Sequence, residues 1–223
     1  VESDLSKEQS KGVIDILSSA DYIINCSGYI DHKAFEKGGK DIFNNNFNCL
    51  YNLIEITRNS KLKTFVHLGS SDEYGNIDSP ITEKVRESPI SPYSLSKLVS
   101  TNFLQQHFRN NNLPVIILRP FLIYGNNQDD NRFLPFIIKS CLKNREFGVT
   151  EGKQLRDFCY IEDFVKAIPK CLDNKNAYGE IINIASGIPL SIKEITNKVV
   201  NIIGSGKPIF GKVPYRMSES MSL

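Results

Sequence analysis

Short apolar runs rich in β-branched residues alternate along the chain with longer segments whose apolar residues recur at helical spacing. This alternation predicts strands and helices in turn, and so an α/β fold built on a doubly wound parallel sheet. Strands are predicted at residues 21–27, 63–70, 114–120, 147–150, 156–160 and 180–185. Helices are predicted at about residues 41–60, 92–110, 132–144 and 162–172, with one more after Pro189.

Two helix starts carry local signals that fix their positions. Ser91 and Pro92 are residue types that favour the N-cap and the first helical position, because serine accepts from free amides and proline has no amide to satisfy. Ser191, with Glu194 three residues later, predicts a capping box for the last helix. The helix that begins at Pro92 therefore carries Tyr93 in its first turn.

The ends of the strands are the first place to expect chemistry. Right-handed crossovers bring the carboxyl ends of parallel strands to one edge of the sheet, and ligands bind at that edge. Residues 26–28, 69–75 and 119–125 follow three of these ends, and they carry thiol, hydroxyl, carboxylate and aromatic side chains. We therefore expect functional residues in these three segments.

Composition narrows the class of protein. Of the 223 residues, 40% are hydrophobic and 23% are charged, which is typical of a globular domain, and the net charge of +2 is too small to predict a nucleic-acid or membrane surface. The longest apolar run, residues 113–125, is interrupted by Arg119 and is too short to span a bilayer. The polar first ten residues lack the pattern of a signal peptide.

The five cysteines show neither a Cys-x-x-Cys pair nor the spacing of metal ligands. Four of them lie in apolar stretches, so we expect reduced, buried thiols in a cytoplasmic protein, and no metal site. They are Cys26, Cys49, Cys141, Cys159 and Cys171.

The most specific candidate for chemistry is the pair Tyr93 and Lys97. Residues four apart lie on one face of a helix, so the two side chains should point the same way. A phenol has a pKa of about 10, and a neighbouring ammonium lowers it, which makes tyrosine usable as a general acid or base. Ser70 and Ser71, at the end of the preceding strand, could hold a substrate oxygen while the proton moves.

A second pair with the same spacing, Tyr29 and Lys33, shows that spacing alone decides nothing. Tyr29 follows Gly28 directly at a strand end, with no helix start and no serine-bearing strand before it. We expect this second pair to be a coincidence, whereas the order of elements around Tyr93 favours function.

Six segments, taken in chain order, resemble the extended short-chain dehydrogenase/reductase family of nucleotide-sugar epimerases and dehydratases. They are NNFNCLYNLIEI, FVHLGSSDEYG, SPYSLSK, ILRPFLIYGNNQ, LRDFCYIEDFVKAI and GEIINIASGIPLSIKEI. The resemblance covers essentially the whole chain. It implies a Rossmann-like sheet, NAD or NADP as cofactor and a nucleoside-diphosphate sugar as substrate, with hydride transfer at the sugar C4.

The same resemblance implies a role for each residue that matches a family motif. Tyr93 would be the general acid/base, Lys97 would tune it and bind the nicotinamide ribose, and Ser70 would bind the sugar oxygen at C4. Arg156 and Arg216 match arginines that bind the substrate diphosphate, which suits the bidentate geometry of a guanidinium. Further cofactor contacts are implied at Asp4, Leu5, Cys26, Ser27, Gly28, Asn46 and Phe121.

The resemblance also implies a domain division and an assembly. A dinucleotide-binding domain would comprise residues 1–120 and 158–186, and a substrate-binding domain residues 121–157 and 187–223. Members of the family commonly dimerise through a four-helix bundle, so we expect a homodimer built on the helices at 41–60 and 92–110.

Departures from the family pattern leave the reaction open. Epimerase or 4-ketoreductase chemistry is favoured, and the alternative is a 4,6-dehydratase in which Asp72, after Ser71, protonates the leaving hydroxyl. We otherwise expect Asp72 and Glu73 to be solvent-facing loop carboxylates. Leu122 replaces a common asparagine, so one hydrogen bond to a substrate phosphate should be lost or supplied elsewhere.

The Gly-x-x-Gly-x-x-Gly loop of the family has no counterpart in the sequence. Such a loop lets backbone amides approach the cofactor diphosphate. We expect it to precede Val1 in the intact polypeptide. A polypeptide without it would instead be a binding or regulatory module that keeps the fold.

Overall fold

A computed structural model of the chain describes residues 2–31, 33–216 and 219–222. Its helices are α1 (Lys11–Ser18), α2 (Gly39–Thr57), α3 (Pro92–Asn111), α4 (Phe133–Leu142), α5 (Ile161–Cys171) and α6 (Ile192–Ile203). Its strands are β1 (Tyr22–Asn25), β2 (Thr64–Leu68), β3 (Val115–Pro120), β4 (Leu122–Tyr124), β5 (Glu146–Val149), β6 (Leu155–Tyr160), β7 (Ile181–Ile184), β8 (Pro189–Ser191) and β9 (Lys207–Phe210). Short 3₁₀ helices lie at Phe35–Lys37, Ser71–Tyr74 and Lys175–Ala177.

The chain forms two compact units. The first unit comprises Val1–Gly75, Thr82–Pro120 and Lys166–Ile184, and the second comprises Asn76–Ile81, Phe121–Val165 and Ala185–Leu223. The bounds differ from the predicted division at three segments, residues 76–81, 158–165 and 185–186, which pack with the second unit.

A parallel sheet in the order β1-β2-β3-β7 forms the centre of the first unit, as the strand–helix alternation predicts. Both inner strands are buried along most of their length and are mainly apolar, as is usual where helices or loops cover a parallel sheet on its two faces. Helices α2 and α3 pack together on one face, where Leu50, Phe65 and Leu104 are fully buried in one apolar cluster. This packing fixes the start of α3 beside the carboxyl ends of β1 and β2.

The second unit contains two small sheets. Strands β4, β6 and β8 form one, with β4–β6 parallel and β6–β8 antiparallel, and β5 pairs with β9 in the other. Leu134 and Ile137 of α4, Phe147 of β5 and Val199 of α6 belong to one apolar cluster in this unit. Sequence analysis missed α1, β4, β8 and β9, which have only three to eight residues and are too short for a clear periodic pattern.

Both predicted helix starts are confirmed. The Ser91 side chain caps α3 by accepting from the amide of Ser94, and Pro92 is the first helical residue. Ser191 and Glu194 form the predicted capping box on α6. In the described part of the chain, no helix combines the length and the apolar character that crossing a bilayer requires.

Candidate active site

Lys97 lies where two strands of the first unit end. Its ammonium donates to the carbonyl oxygen of Leu68, at the end of β2, over 2.9 Å, and to that of Ser27, after β1, over 3.4 Å. The residue is only 6% exposed. A charged group that is buried but held by two carbonyl oxygens has a fixed position, so Lys97 is a rigid part of the sheet edge rather than a surface side chain.

Burial lowers the pKa of Lys97, and the charges of Glu73 and Cys26 partly oppose that shift. The direction follows from desolvation, which disfavours the ammonium relative to the neutral amine.

Tyr93 occupies the first turn of α3 and is buried in the first unit. The cap by Ser91 and the fixed φ of Pro92 hold this turn, and Ser96 donates to the Tyr93 carbonyl over 2.7 Å. Tyr93 and Lys97 are one helical turn apart in α3, as predicted. The pairing of the Tyr93 hydroxyl with Ser70 stays a prediction.

Ser70 is the N-cap of the 3₁₀ helix that follows β2, and it is 8% exposed. Its hydroxyl oxygen accepts from the amide of Asp72 over 3.2 Å, and its own amide donates to the Glu73 carboxylate over 2.8 Å. A hydroxyl that accepts in this way still has a proton to donate. The structure thus holds Ser70 by its backbone, in an arrangement that suits a hydrogen bond to a substrate oxygen.

The residues after Ser70 correct one expectation. Glu73 was expected to face solvent, but its side chain is fully buried and bonded to Arg119 of β3. Ser71 is buried and Asp72 is half-buried in the same turn.

Asn46 of α2 ties the turn after β1 to the start of α3. Its amide oxygen accepts from the backbone of Tyr29, and its amide nitrogen donates to the Tyr29 carbonyl and to the Ser96 hydroxyl. In the same turn, a Cβ on Gly28 would lie 3.0 Å from the ammonium of Lys97, and the φ angle of Gly28 is +156°. The turn therefore needs glycine so that Lys97 can approach the backbone.

Other predicted cofactor residues lie in different surroundings. The Asp4 carboxylate is half-exposed and accepts from the amide and hydroxyl of Ser6, and the Leu5 carbonyl accepts from Asn52 of α2. Cys26 is exposed, which corrects the expectation of buried thiols, and Cys49 is half-buried, whereas the other three cysteines are buried. Phe121 is half-buried and belongs to the second unit.

The predicted diphosphate-binding arginines come together in the second unit. Arg156 of β6 donates to one carboxylate oxygen of Glu219 over 2.7 Å, and the Arg216 guanidinium lies 3.9 Å from the other. The Arg216 side chain is 74% exposed, while those of Arg156 and Glu219 are 14% and 16% exposed. Both cations thus surround an acidic side chain in a position that an anionic ligand could compete for.

The second Tyr–Lys pair does not form a comparable site. Tyr29 is 59% exposed, and the Lys33 ammonium pairs with the carboxylate of Asp31 over 2.8 Å.

Sequence reasoning missed two buried residues near the site. Arg119 is fully buried, and an arginine inside an otherwise apolar strand is the signal that could have identified it. The Nδ1 atom of His67, in β2, lies 3.0 Å from the side-chain amide nitrogen of Asn25 and therefore accepts a hydrogen bond from it. The Nε2 atom of His67 has no hydrogen-bond partner among the described residues. Burial, with the charge of Lys97, holds the pKa of His67 well below the ordinary 6.5.

Comparisons with known proteins agree with this architecture. The sequence model described as the NAD dependent epimerase/dehydratase family matches residues 1–185. An uncharacterized UDP-glucose epimerase of Bacillus subtilis is 31% identical over 160 residues, covering 71% of this chain and 51% of that protein. A dTDP-D-glucose 4,6-dehydratase of Dictyostelium discoideum is 30% identical over 197 residues, covering 82% of this chain and 45% of that protein.

A solved structure extends the likeness to three dimensions. The UDP-glucuronic acid 4-epimerase from Bacillus cereus, in complex with UDP-glucuronic acid and NAD, superimposes with a TM-score of 0.87 at 27% identity, covering 99% of this chain and 68% of that one. The chain spans about half the length of the curated relatives that it matches. With a family model matching more than four fifths of its residues, the chain belongs to the NAD-dependent epimerase/dehydratase family.

Proposed function

We propose that this chain carries the reaction centre of an NAD-dependent enzyme that acts at C4 of a nucleoside-diphosphate sugar, as a 4-epimerase or a 4-ketoreductase. The observation that carries the proposal is the setting of Lys97, which is buried and bonded to the ends of two parallel strands, one helical turn after Tyr93. Surface lysines have no such setting, whereas a lysine that must tune a neighbouring phenol needs it.

The residues present fit a dinucleotide at this edge of the sheet. Gly28 leaves the backbone open beside Lys97 in a space that a Cβ would fill, and Asn46 holds that turn in place. When bound, NAD would supply the group that accepts a hydride from the sugar and returns it. Lys97, with donor capacity beyond its two carbonyl bonds, would hold the ribose.

In the proposed reaction, Tyr93 accepts the proton of the C4 hydroxyl as the sugar is oxidised and returns it in the reverse step. Lys97 stabilises the phenolate during the transfer, since a cation close by favours the charged form of tyrosine. Ser70 donates a hydrogen bond to the same sugar oxygen. Arg156 and Arg216 bind the diphosphate after Glu219 gives up its place between them.

A second candidate function is 4,6-dehydration, in which Asp72 would act as the acid for the leaving hydroxyl. Two observations favour keeping it: Asp72 is half-buried two residues after Ser70, and one of the matched relatives is a dTDP-D-glucose 4,6-dehydratase. The buried Glu73 is not available for this role, because its carboxylate is already bonded to Arg119 and Thr101.

The reaction can be tested by incubating the intact polypeptide and NAD with a panel of UDP- and dTDP-linked sugars and following C4 by NMR. Inversion at C4 supports epimerase chemistry. Reduction of a 4-keto sugar with NADH supports the ketoreductase, and a 4-keto-6-deoxy product supports the dehydratase. If the polypeptide binds nucleotide sugars but turns over none, it is the non-catalytic module.

We also propose that the enzyme is a homodimer that buries the outer faces of α2 and α3. Rings from both helices form a continuous aromatic surface there, with Phe47 and Phe103 5.5 Å apart and Tyr51 and Phe103 5.9 Å apart between centroids. Tyr51 is 44% exposed, and the surface continues to Phe43. A change of Tyr51→Glu should convert a dimer to a monomer in light scattering, and a monomeric wild type would contradict the proposal.

All five cysteines lie in the described part of the chain and are free thiols. Unpaired cysteines persist in a reducing compartment, which supports a cytoplasmic location for the proposed enzyme.

A further inference from the structure

The side chain of Glu73 is the most heavily bonded carboxylate beside the proposed reaction centre. One oxygen accepts from the Ser70 amide over 2.8 Å. The other accepts from the Thr101 hydroxyl over 2.8 Å and from two nitrogens of Arg119 over 2.9 and 2.6 Å. Both Glu73 and Arg119 are fully buried.

Three elements are joined through this one carboxylate. Ser70 lies in the turn after β2, Thr101 is one helical turn beyond Lys97 in α3, and Arg119 belongs to β3. The surroundings are built to fit it, since a Cβ on Gly69 would lie 2.5 Å from a Glu73 oxygen. The turn that carries the Ser70 hydroxyl is therefore tied directly to the helix that carries Tyr93 and Lys97.

We propose that Glu73 is a positioning residue, whose carboxylate sets where the Ser70 hydroxyl lies relative to Tyr93 and Lys97. The inference rests on the proposed function and deepens it. Glu73 touches no reacting atom in this scheme, and it acts through the Ser70 backbone.

Stability alone is a weak reason for such a pair. Removing two charges from water costs free energy that their attraction roughly repays, so well-packed apolar residues often replace a buried ion pair without loss of stability. Geometry gives a stronger reason, because a shift of about 1 Å in a positioning group can cost about 100-fold in rate. Hydrogen bonds are directional, so donors that reach one carboxylate from three sides fix the position of the groups that carry them.

The carboxylate also contributes to the charge around Lys97. The groups whose charge acts on this ammonium are Glu73 from the turn after β2 and Cys26 from the turn after β1, while the ring of His67 from β2 is itself under the influence of Lys97. Burial lowers the pKa of Lys97, and the negative charge of Glu73 opposes the shift. Loss of that charge should therefore lower the pKa at which Lys97 loses its proton.

The test compares two variants of the intact polypeptide with the wild type. In the double variant Glu73→Leu/Arg119→Met, apolar side chains replace the two ions, and the Ser70 amide, the Thr101 hydroxyl and the Glu87 carboxylate each lose a partner. We therefore expect a folded protein with a lower melting temperature. NAD affinity should stay close to wild type, while kcat falls about 100-fold with little change in KM. In Glu73→Gln, an NH₂ group must face either the Ser70 amide or the Arg119 and Thr101 donors, so one side of the network is lost and the negative charge is removed. We expect a fall in kcat of about 10–100-fold and an alkaline limit of the pH–rate profile at lower pH.

Amide hydrogen exchange gives a readout that does not depend on turnover. In the folded double variant the Ser70 amide has lost its acceptor and should exchange faster, while the amides of Phe65 and Val66 within β2 stay protected. Glu146→Gln, at an exposed position of β5 in the second unit, is the matched control and should keep the wild-type kcat.

The outcomes separate the two proposals. An inactive wild type rejects the proposed function. An active wild type whose double variant folds and keeps kcat within about twofold rejects the positioning role alone. If the double variant does not fold, Glu73→Gln decides in the same way, since an unchanged kcat and pH profile there would also overturn the role.

Discussion

Each unit of the molecule holds a cluster of opposite charges, and the two clusters differ in how firmly they are held. In the first unit, Glu73 and Arg119 are fully buried, with a shortest contact of 2.6 Å. In the second, Glu219 lies 2.7 Å from the mostly buried Arg156, but its other partner, Arg216, is 74% exposed and 3.9 Å away. A buried pair cannot exchange its partners without a large desolvation cost, whereas an exposed pair is worth at most about 1 kcal/mol and can be replaced.

This difference matches two separate tasks. A reaction centre gains from groups that are fixed before the substrate arrives, because no reorganisation is then needed as charge develops. A binding site for an anion needs cations that are available, and the exposed Arg216 is such a cation, whereas the proposed diphosphate would have to displace Glu219 from its 2.7 Å contact with Arg156. The predictions below test this division between a fixed centre and an exchangeable one.

The largest effect is expected from removing the proposed proton carrier, Tyr93. Tyr93→Phe should lower kcat by a factor of about 10²–10⁴, the usual contribution of a general acid or base, while NAD binding is kept. Tyr29→Phe is the matched control, because Tyr29 is 59% exposed in the other Tyr–Lys pair, and it should keep the wild-type rate. Turnover assays with a substrate identified in the NMR panel measure the rates of both variants. Near-native turnover in Tyr93→Phe would reject the proposal that this buried site is the reaction centre.

The next effect belongs to the exchangeable cluster. Arg156→Ala should raise KM for the nucleotide sugar by about 10–100-fold, because a hydrogen bond to a charged group contributes about 1.5–3 kcal/mol, while kcat changes little. Steady-state kinetics separate the two constants. Arg58→Ala removes an exposed arginine directly after α2 and serves as control. A fall in kcat without a rise in KM would place Arg156 with the reaction centre instead.

These residues show how far sequence can lead. The start of α3 was predictable because Ser91 and Pro92 are local signals, and the Tyr93–Lys97 register follows from the helix they start. The burial of Glu73 was not, because it depends on Arg119, which lies 46 residues further along the chain in a neighbouring strand. Local patterns contain no such pairing, so a carboxylate in a polar turn was expected to face solvent.

A smaller effect tests the fixed centre through acid stability. The folded pKa of His67 lies well below the ordinary 6.5, so the unfolded chain binds this proton first as the pH falls. The stabilisation from neutral His67 is therefore complete above about pH 6.5 and is lost as the pH falls toward the folded pKa, at up to about 1.4 kcal/mol per pH unit. His67→Gln should flatten the decline in unfolding free energy between pH 6.5 and 5, measured by urea titration. An equally steep decline in the variant would show that His67 takes up its proton without unfolding.

The smallest effect concerns the carboxylate that occupies the arginine cluster. Glu219→Gln keeps the size of the side chain but removes its charge, so Arg156 and Arg216 no longer have to exchange an anion for the diphosphate. The new amide oxygen can still accept from Arg156, so the change removes mainly the charge that faces the exposed Arg216. Because such an exposed contact contributes up to about 1 kcal/mol, KM should fall by no more than about fivefold, with kcat unchanged. Added salt should narrow the difference between variant and wild type, since it screens the competing carboxylate. A KM that rises in Glu219→Gln would mean that Glu219 orders the arginines for binding, and the second cluster would then be as fixed as the first.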